Sequence, residues 1–389
     1  MIHFVVTERG SFSMRYYLAE EGEALGKRMR VVLYEELASL RQLPLGTWVF
    51  TEFDQLDEPQ RNLAIHVWDR LGTAPAGVRL MNDARRVRSR VDVLRAAHDA
   101  GVNEFRAWPA TDVLLRPSAR ARVNDGTTIS AGALRYPVFV RFTNRHVGNL
   151  TPLLDSPRSL ESALSSLMAS RMRLDELLVV EFCDTRDEHG IFRKYSAYMI
   201  GDRIVPRYLE CSRDWMVKWD ARIFDRVRAD EEARYLETNP HESWIRDVFR
   251  LARIDYGRID YGVRAGKPQL WEINTNPTIG RGPGPTGGQP AEVVAYKAML
   301  APAFDAFFRN FQEAWEAIDV APQCYESVEL RAPSALLRDI ERAARQRRRA
   351  DRLGSLVHLV AKQEWVRPIT RAAKRALASV AGARLRNGI

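Results

Sequence analysis

The stretch GRIDYGVRAGKPQLWEIN, residues 257–274, decides how this chain is read. It reads as two antiparallel strands joined by a turn at Ala265-Gly266-Lys267-Pro268, since apolar and aromatic runs are bounded by turn-forming residues. Asp260 falls on the first strand, Glu272 and Asn274 on the second. Positions 272 and 274 are two apart, so their side chains leave the same face. Across a hairpin of this length Asp260 reaches that face as well. Two carboxylates and an amide oxygen form a hard, oxygen-only set suited to Mg²⁺, with phosphate oxygens completing the shell. From spacing alone, a solvated strand face carrying ordinary charges is the alternative.

The segment Gly257-Arg258-Ile259-Asp260, followed by Trp271-Glu272-Ile273-Asn274-Thr275-Asn276-Pro277, resembles the metal-binding end of the ATP-grasp superfamily. Within it, the match is to the D-alanine–D-alanine ligase type of carboxylate–amine ligase. The resemblance implies that Asp260, Glu272 and Asn274 hold two Mg²⁺ ions (Mn²⁺ as a substitute) against ATP phosphates. It implies that Arg258 stabilises the tetrahedral intermediate. It also implies the reaction: ATP phosphorylates a carboxylate, an amine attacks the acylphosphate, and an amide forms with release of ADP and phosphate.

Further positions take roles from the same resemblance, each with an ordinary structural alternative. YPVFVRF (136–142) offers Arg141 where the family usually has a phosphate-binding Lys, and Arg keeps the charge in forked form. LLVVEFCD (177–184) resembles the hinge strand that meets adenine and ribose. That makes Glu181 and Asp184 candidates, with the peptide groups near Phe182 and Cys183 reading the base. Lys194 and Lys218 are further cofactor-binding candidates, as is Arg90, which a helix-surface salt bridge explains almost as well. The phosphate-covering loop would be FTNRHVGNLT (142–151). It holds one glycine where the family loop is rich in Gly and Ser, so Arg145 or His146 would replace backbone contacts. On the acceptor side, Arg281 in IGRGPGPTGG (279–288) is the first substrate candidate and Arg207 the second, with a flexible linker as the alternative for that loop.

Working outward, the first hundred residues alternate strand and helix. Strands are expected at 2–7, 29–36 and 47–53, helices at 14–26, 58–71 and 85–100, the last closing at Gly101. That pattern gives a small parallel α/β domain, whose first strand exits at Thr7–Ser11, where such domains present ligand contacts. The middle is α+β with hairpins. The expected organisation is an N-terminal pre-ATP-grasp α/β domain (1–112), a central ATP-grasp subdomain (113–210), a C-terminal subdomain with the metal site (211–322) and a basic helical tail (323–389).

Composition sets the outer bounds. The chain has 389 residues, 46% hydrophobic and 28% charged, which is long enough for two or three cored domains and excludes a fibre or a disordered chain. No apolar run approaches the ~18 residues of a membrane span, and MIHFVVTERG lacks the pattern of a secretory signal. Three cysteines without metal-like spacing suggest neither a disulfide framework nor a zinc site, so a reducing cytoplasm is expected. Seven histidines show no paired spacing, and no GxSxG, GxGxxG or Walker motif occurs.

The net charge of +9 belongs to the tail: residues 331–389 carry 15 Lys/Arg and 4 Asp/Glu, leaving 44 basic and 46 acidic side chains elsewhere. A nucleic-acid partner is therefore not implied. The tail's helical mix of Leu, Val, Ala and Arg, kinked at Pro368, suits packing or oligomer contact, an acidic protein or peptide partner, or peripheral contact with an anionic membrane. The sequence reading is thus an ATP- and Mg-dependent ligase joining a small-molecule or peptide carboxylate to an amine. A kinase without ligation and a nucleotide-binding module without catalysis are the competing readings.

Overall fold

A computed structural model describes residues 1–115, 128–145, 148–280, 290–320 and 326–346. Arg281, His146, the glycine- and proline-rich loop 281–289 and the tail beyond 346 lie outside the described residues. The chain divides into two compact units, Met1–Arg331 and Ala332–Ile389. The first unit runs past the expected boundary at 322/323 because a late strand, named below, pairs back onto the N-terminal region.

The first unit opens with β1 (Ile2–Val6), buried along its whole length, then α1 (Phe12–Glu20) and the short α2 (Glu23–Gly26). The helix expected over 14–26 is broken after Glu20, where the N–H groups of both Glu21 and Gly22 turn back to the Tyr17 carbonyl at 2.9 Å. β2 (Met29–Leu33) is shorter than expected because Tyr34 opens a helical turn, α3 (Tyr34–Leu37). The Tyr34 hydroxyl donates to the Thr51 carbonyl at 2.9 Å, which turns the chain inward. β3 (Gln42–Pro44), β4 (Gly46–Phe50), α4 (Glu58–Leu71) and β5 (Val78–Met81) follow. The strand expected at 47–53 stops at Phe50, ahead of a helical turn at 53–55. α4 starts at a capping box between Asp57 and Gln60. Strands pair in parallel in the order β2-β1-β4-β5, the parallel α/β layer read from the sequence.

α5 (Arg90–Asp99) begins five residues later than expected, because Ser89 caps it and residues before it form a turn. Gly101 follows at φ 70°. Next come β6 (Ala107–Pro109), β7 (Val113–Leu114), β8 (Ile129–Ser130), β9 (Val138–Phe142), α6 (Pro157–Ala169) and β10 (Leu177–Glu181). β6, β10 and β9 form an antiparallel sheet with β10 in the centre. β11 (Phe192–Ile200), β12 (Arg203–Ser212), α7 (Arg226–Thr238), α8 (Glu242–Ala252), β13 (Tyr256–Arg264) and β14 (Lys267–Asn274) follow, and the four strands form an antiparallel sheet in the order β12-β11-β13-β14. Both Ala265 and Gly266 have positive φ (47° and 79°), the backbone a two-residue turn between twisted strands requires.

α9 (Ala291–Ile318) joins the layers: its Phe307, Phe311 and Trp315 sit in one core with Phe4 and Val6 of the parallel sheet and with Tyr198 and Tyr256 of the antiparallel one. Asn82 adds a polar pin between them. Its side chain donates to the carbonyls of Phe50 and Tyr256 at 3.0 Å and accepts from the N–H of Asp255 at 2.7 Å. β15 (Ser327–Glu329) pairs antiparallel with β3, which carries the chain back to the N-terminal layer. In the second unit, residues 334–346 are helical, as the tail's rhythm suggested. Among the described residues no helix is long and apolar enough to cross a membrane.

Candidate active site

A cavity of about 240 Å³ is lined by both antiparallel sheets. One end is aromatic. Phe139 and Phe182 flank Trp215, with ring centroids 5.0 Å and 5.7 Å from it, and Phe192 packs beside Phe182. The other end is charged, with Arg141, Lys194, Lys218, Asp260 and Glu272 on its walls. An aromatic wall beside cationic and carboxylate groups offers both apolar surface and charge to one ligand.

The hairpin supplies the charged end. Asp260 lies directly opposite Glu272, and Arg258 directly opposite Asn274, so all four share one face. A bulge follows Asp260. Asp260 is nearly buried, and its carboxylate accepts from Ser196 Oγ at 2.8 Å, Tyr208 OH at 3.3 Å and Arg258 Nε at 3.1 Å. Burial acts to lower the Arg258 pKa, but the Asp260 carboxylate more than offsets it and holds the guanidinium charged. Glu272 accepts from Arg141 and, at 3.3 Å, from Arg90. Asn274 Oδ1 accepts the Asn276 N–H at 2.8 Å, which fixes the amide's orientation.

The residue types fit Mg²⁺: two carboxylates and an amide oxygen lie on one face of adjacent strands, and all are hard ligands. Among the described residues no group of three or more His, Cys, Asp or Glu gathers.

The other candidates separate into those on the cavity and those off it. Glu181, Phe182 and Cys183 line it. The Glu181 carboxylate accepts the N–H groups of Arg106 at 3.1 Å and Arg135 at 3.0 Å, so its side chain braces the hinge. Burial pushes the Cys183 thiol up to about 11, keeping it protonated. Lys194, opposite Glu210 on the neighbouring strand, pairs with it at 2.5 Å and donates to the Val217 carbonyl at 3.1 Å. Burial works against the Lys194 charge, yet Tyr208, Glu210 and Asp260 around it raise the pKa. Lys218 is exposed, its ammonium 3.6 Å from where a side chain on Gly148 would begin. Among the described residues no hydrogen bond or ion pair holds it, so it is available to an anion.

Three candidates sit elsewhere. Asp184 is not on the cavity wall but forms an exposed pair with Arg186 at 2.6 Å. Arg207 is buried against α9, its guanidinium 4.5 Å from the Phe307 ring centroid and bonded to the Gly280 carbonyl. Arg90 is buried behind Glu272 rather than on a helix surface.

Sequence reading missed the aromatic slot. Trp215 lies three residues before Lys218 in DWMVKW, and two tryptophans four residues apart were the available signal. Ser196 and Tyr208, which orient Asp260, carry no motif and emerge only from strand register.

No protein-family model and no curated relative matches this sequence. Among solved structures, the chain is similar to the D-alanine–D-alanine ligase from Bacillus anthracis, at 12% identity over 81% of this chain and 99% of that one, with a TM-score of 0.41. It is similar to D-cycloserine synthetase DcsG at 13% identity over 79% of this chain and 100% of that one, TM-score 0.42. It is also similar to the ATP-grasp ligase PsnB, in complex with Mg, ADP and a phosphomimetic variant of its minimal precursor, at 14% identity over 78% and 97% of the two chains, TM-score 0.39. These likenesses are weak, and the functional reading rests on the site itself.

Proposed function

We propose that the protein is an ATP- and Mg-dependent carboxylate–amine ligase of ATP-grasp type. The observation that carries this reading is the placement of Asp260, Glu272, Asn274 and Arg258 on one strand face, with Asp260 and Glu272 on the wall of a cavity that Phe139, Phe182 and Trp215 also line. Each residue then has a physical task. Phe139, Phe182 and Trp215 take a base by stacking, and Arg141 and Lys218 take the phosphates. Mg²⁺ bound to Asp260, Glu272 and Asn274 would neutralise charge on the transferring phosphoryl group. Arg258 meets negative charge as it develops on the acyl oxygen. This scheme needs no side-chain nucleophile, since the acid attacks the phosphoryl group and the amine attacks the acylphosphate. Lys194 is assigned to the cleft floor, where it joins β11 to the segment carrying Trp215.

Replacing Glu272 by Gln keeps the shape and removes a metal-binding charge. Mg·ATP turnover is expected to fall by about a thousandfold or more, in line with the loss of a main electrostatic group, while the far-UV circular dichroism is unchanged. Turnover equal to that of the unaltered protein would overturn the metal assignment.

A further inference from the structure

Two arginines reach the Glu272 carboxylate from different places. Arg141 lines the large cavity. Arg90 lines a small crevice of about 20 Å³, together with Phe53, Val87, Ile254 and Thr275. Glu272 lines both. The Arg90 side chain is 2% exposed. One of its terminal nitrogens donates to the carbonyls of Phe142, Thr143 and Arg145 at 3.0, 3.3 and 3.2 Å, and the other to Glu272 Oε2 at 3.3 Å.

We infer that Arg90 is a positioning residue: it aims the Glu272 carboxylate into the large cavity and anchors the chain leaving β9, without itself touching nucleotide. This inference rests on reading the cavity as a Mg·nucleotide site. The reason lies in the guanidinium. Its planar fork addresses a carboxylate on one side and a set of carbonyls on the other, which a lysine's single ammonium cannot do over that span. A buried cation is costly unless compensated, and here the compensation is the same carboxylate that must be aimed. Arg141 lines the large cavity and would turn from Glu272 to a phosphate there while Arg90 keeps the carboxylate in place. The two arginines therefore divide the work: Arg141 binds nucleotide and Arg90 tunes the metal ligand.

The test separates metal affinity from nucleotide affinity. Mn²⁺ binding to the protein saturated with a non-hydrolysable ATP analogue is followed by electron paramagnetic resonance, and metal-free ATP binding by tryptophan fluorescence. Arg90→Lys is expected to weaken Mn²⁺ by about tenfold or more, the usual scale for a group that orients a ligand, and to leave metal-free ATP affinity within about threefold. Arg141→Lys is expected to weaken metal-free ATP. In a Glu272→Gln background, Arg90→Lys should have no further effect on Mn²⁺. Arg90→Gln, whose amide still donates to a carbonyl, serves if the lysine form does not fold. Equal loss of metal-free ATP affinity in the Arg90 and Arg141 variants, or unchanged Mn²⁺ affinity in the Arg90 variants, would overturn the inference. Absence of nucleotide binding by the unaltered protein would instead remove the underlying assignment of the cavity.

Discussion

Asp260 and Glu272 face each other as direct partners across β13 and β14, and each carboxylate is met by arginine: Arg258 on Asp260 at 3.1 Å, Arg141 and Arg90 on Glu272. Two like charges placed opposite one another on a strand pair are ordinarily destabilising. Here separate cations compensate each, so both stay available as oxygen donors at the point where the cavity turns from aromatic to charged.

Lys218 is exposed, and among the described residues its ammonium makes no hydrogen bond or ion pair. Lys218→Ala should leave the melting temperature within about 2 °C, since exposed substitutions usually stay within about 0.5 kcal/mol. The KM for ATP should rise by tenfold or more, because a charged group on a phosphate contributes about 1.5–3 kcal/mol. Steady-state kinetics beside a thermal melt checks both halves. An unchanged KM would remove Lys218 from the phosphate end.

Trp215 is held by Phe139 and Phe182 and lines the cavity. ATP should change tryptophan fluorescence, and Trp215→Phe should abolish most of that change while keeping affinity within a few-fold. Trp215→Ala should weaken binding by about 1–3 kcal/mol, the scale of base–aromatic stacking. A full-sized fluorescence change in the phenylalanine variant would place the base elsewhere.

Behind the cavity floor, Arg222 bonds Glu232 and approaches Glu210 to 3.6 Å, while Tyr296 of α9 donates to Glu232 at 2.7 Å. Glu232 has no exposed surface. Glu232→Ala leaves the Arg222 charge buried with weaker compensation, and chemical denaturation should show a loss of about 3–5 kcal/mol. A loss under 1 kcal/mol would mean that Glu210 and water replace the missing partner.

His3 is buried in β1 and stacks on Trp48 with centroids 4.5 Å apart. Burial lowers its pKa to about 4, with the N-terminal ammonium and Arg30 acting in the same direction. The unfolded chain takes up a proton near the ordinary value of ~6.5, while the folded chain does not until about pH 4. The stability from keeping His3 neutral is therefore complete above pH 6.5 and lost as pH falls through the window to 4. The full loss is on the order of 3 kcal/mol, at 1.36 kcal/mol per unit. His3→Phe should flatten that part of the stability–pH curve. An unchanged slope would show that other groups carry it.

The parts of this protein written in local pattern were legible in the sequence. The β13–β14 hairpin declared itself by its turn and by Asp260, Glu272 and Asn274, and the parallel layer by alternating strand and helix. What depended on distant contacts was not legible. Arg90 read as a cofactor-binding residue, with a helix-surface salt bridge as the alternative, and only tertiary packing puts Glu272 and three carbonyls around it. Arg207 read as a substrate group because it is charged, yet the aromatic face of α9 takes it into the core. Asp184 follows the hinge strand, but the neighbouring Arg186 draws its carboxylate out to solvent. Trp215 belongs to a loop with no motif, and its partners come from strands more than thirty residues away in sequence. The expected helix over 14–26 failed at Glu21-Gly22, where chain reversal onto Tyr17 outweighed helical rhythm.

The central claim is that this site joins a carboxylate to an amine using Mg·ATP. The most direct measurement is to incubate the protein with Mg·ATP and pooled carboxylic acids and amino acids, following ADP release together with product masses. The account expects ADP with a new species whose mass is that of acid plus amine minus water, absent in the Glu272→Gln variant. ADP accompanied by a stable phosphorylated product that never requires an amine would contradict it and make the protein a kinase.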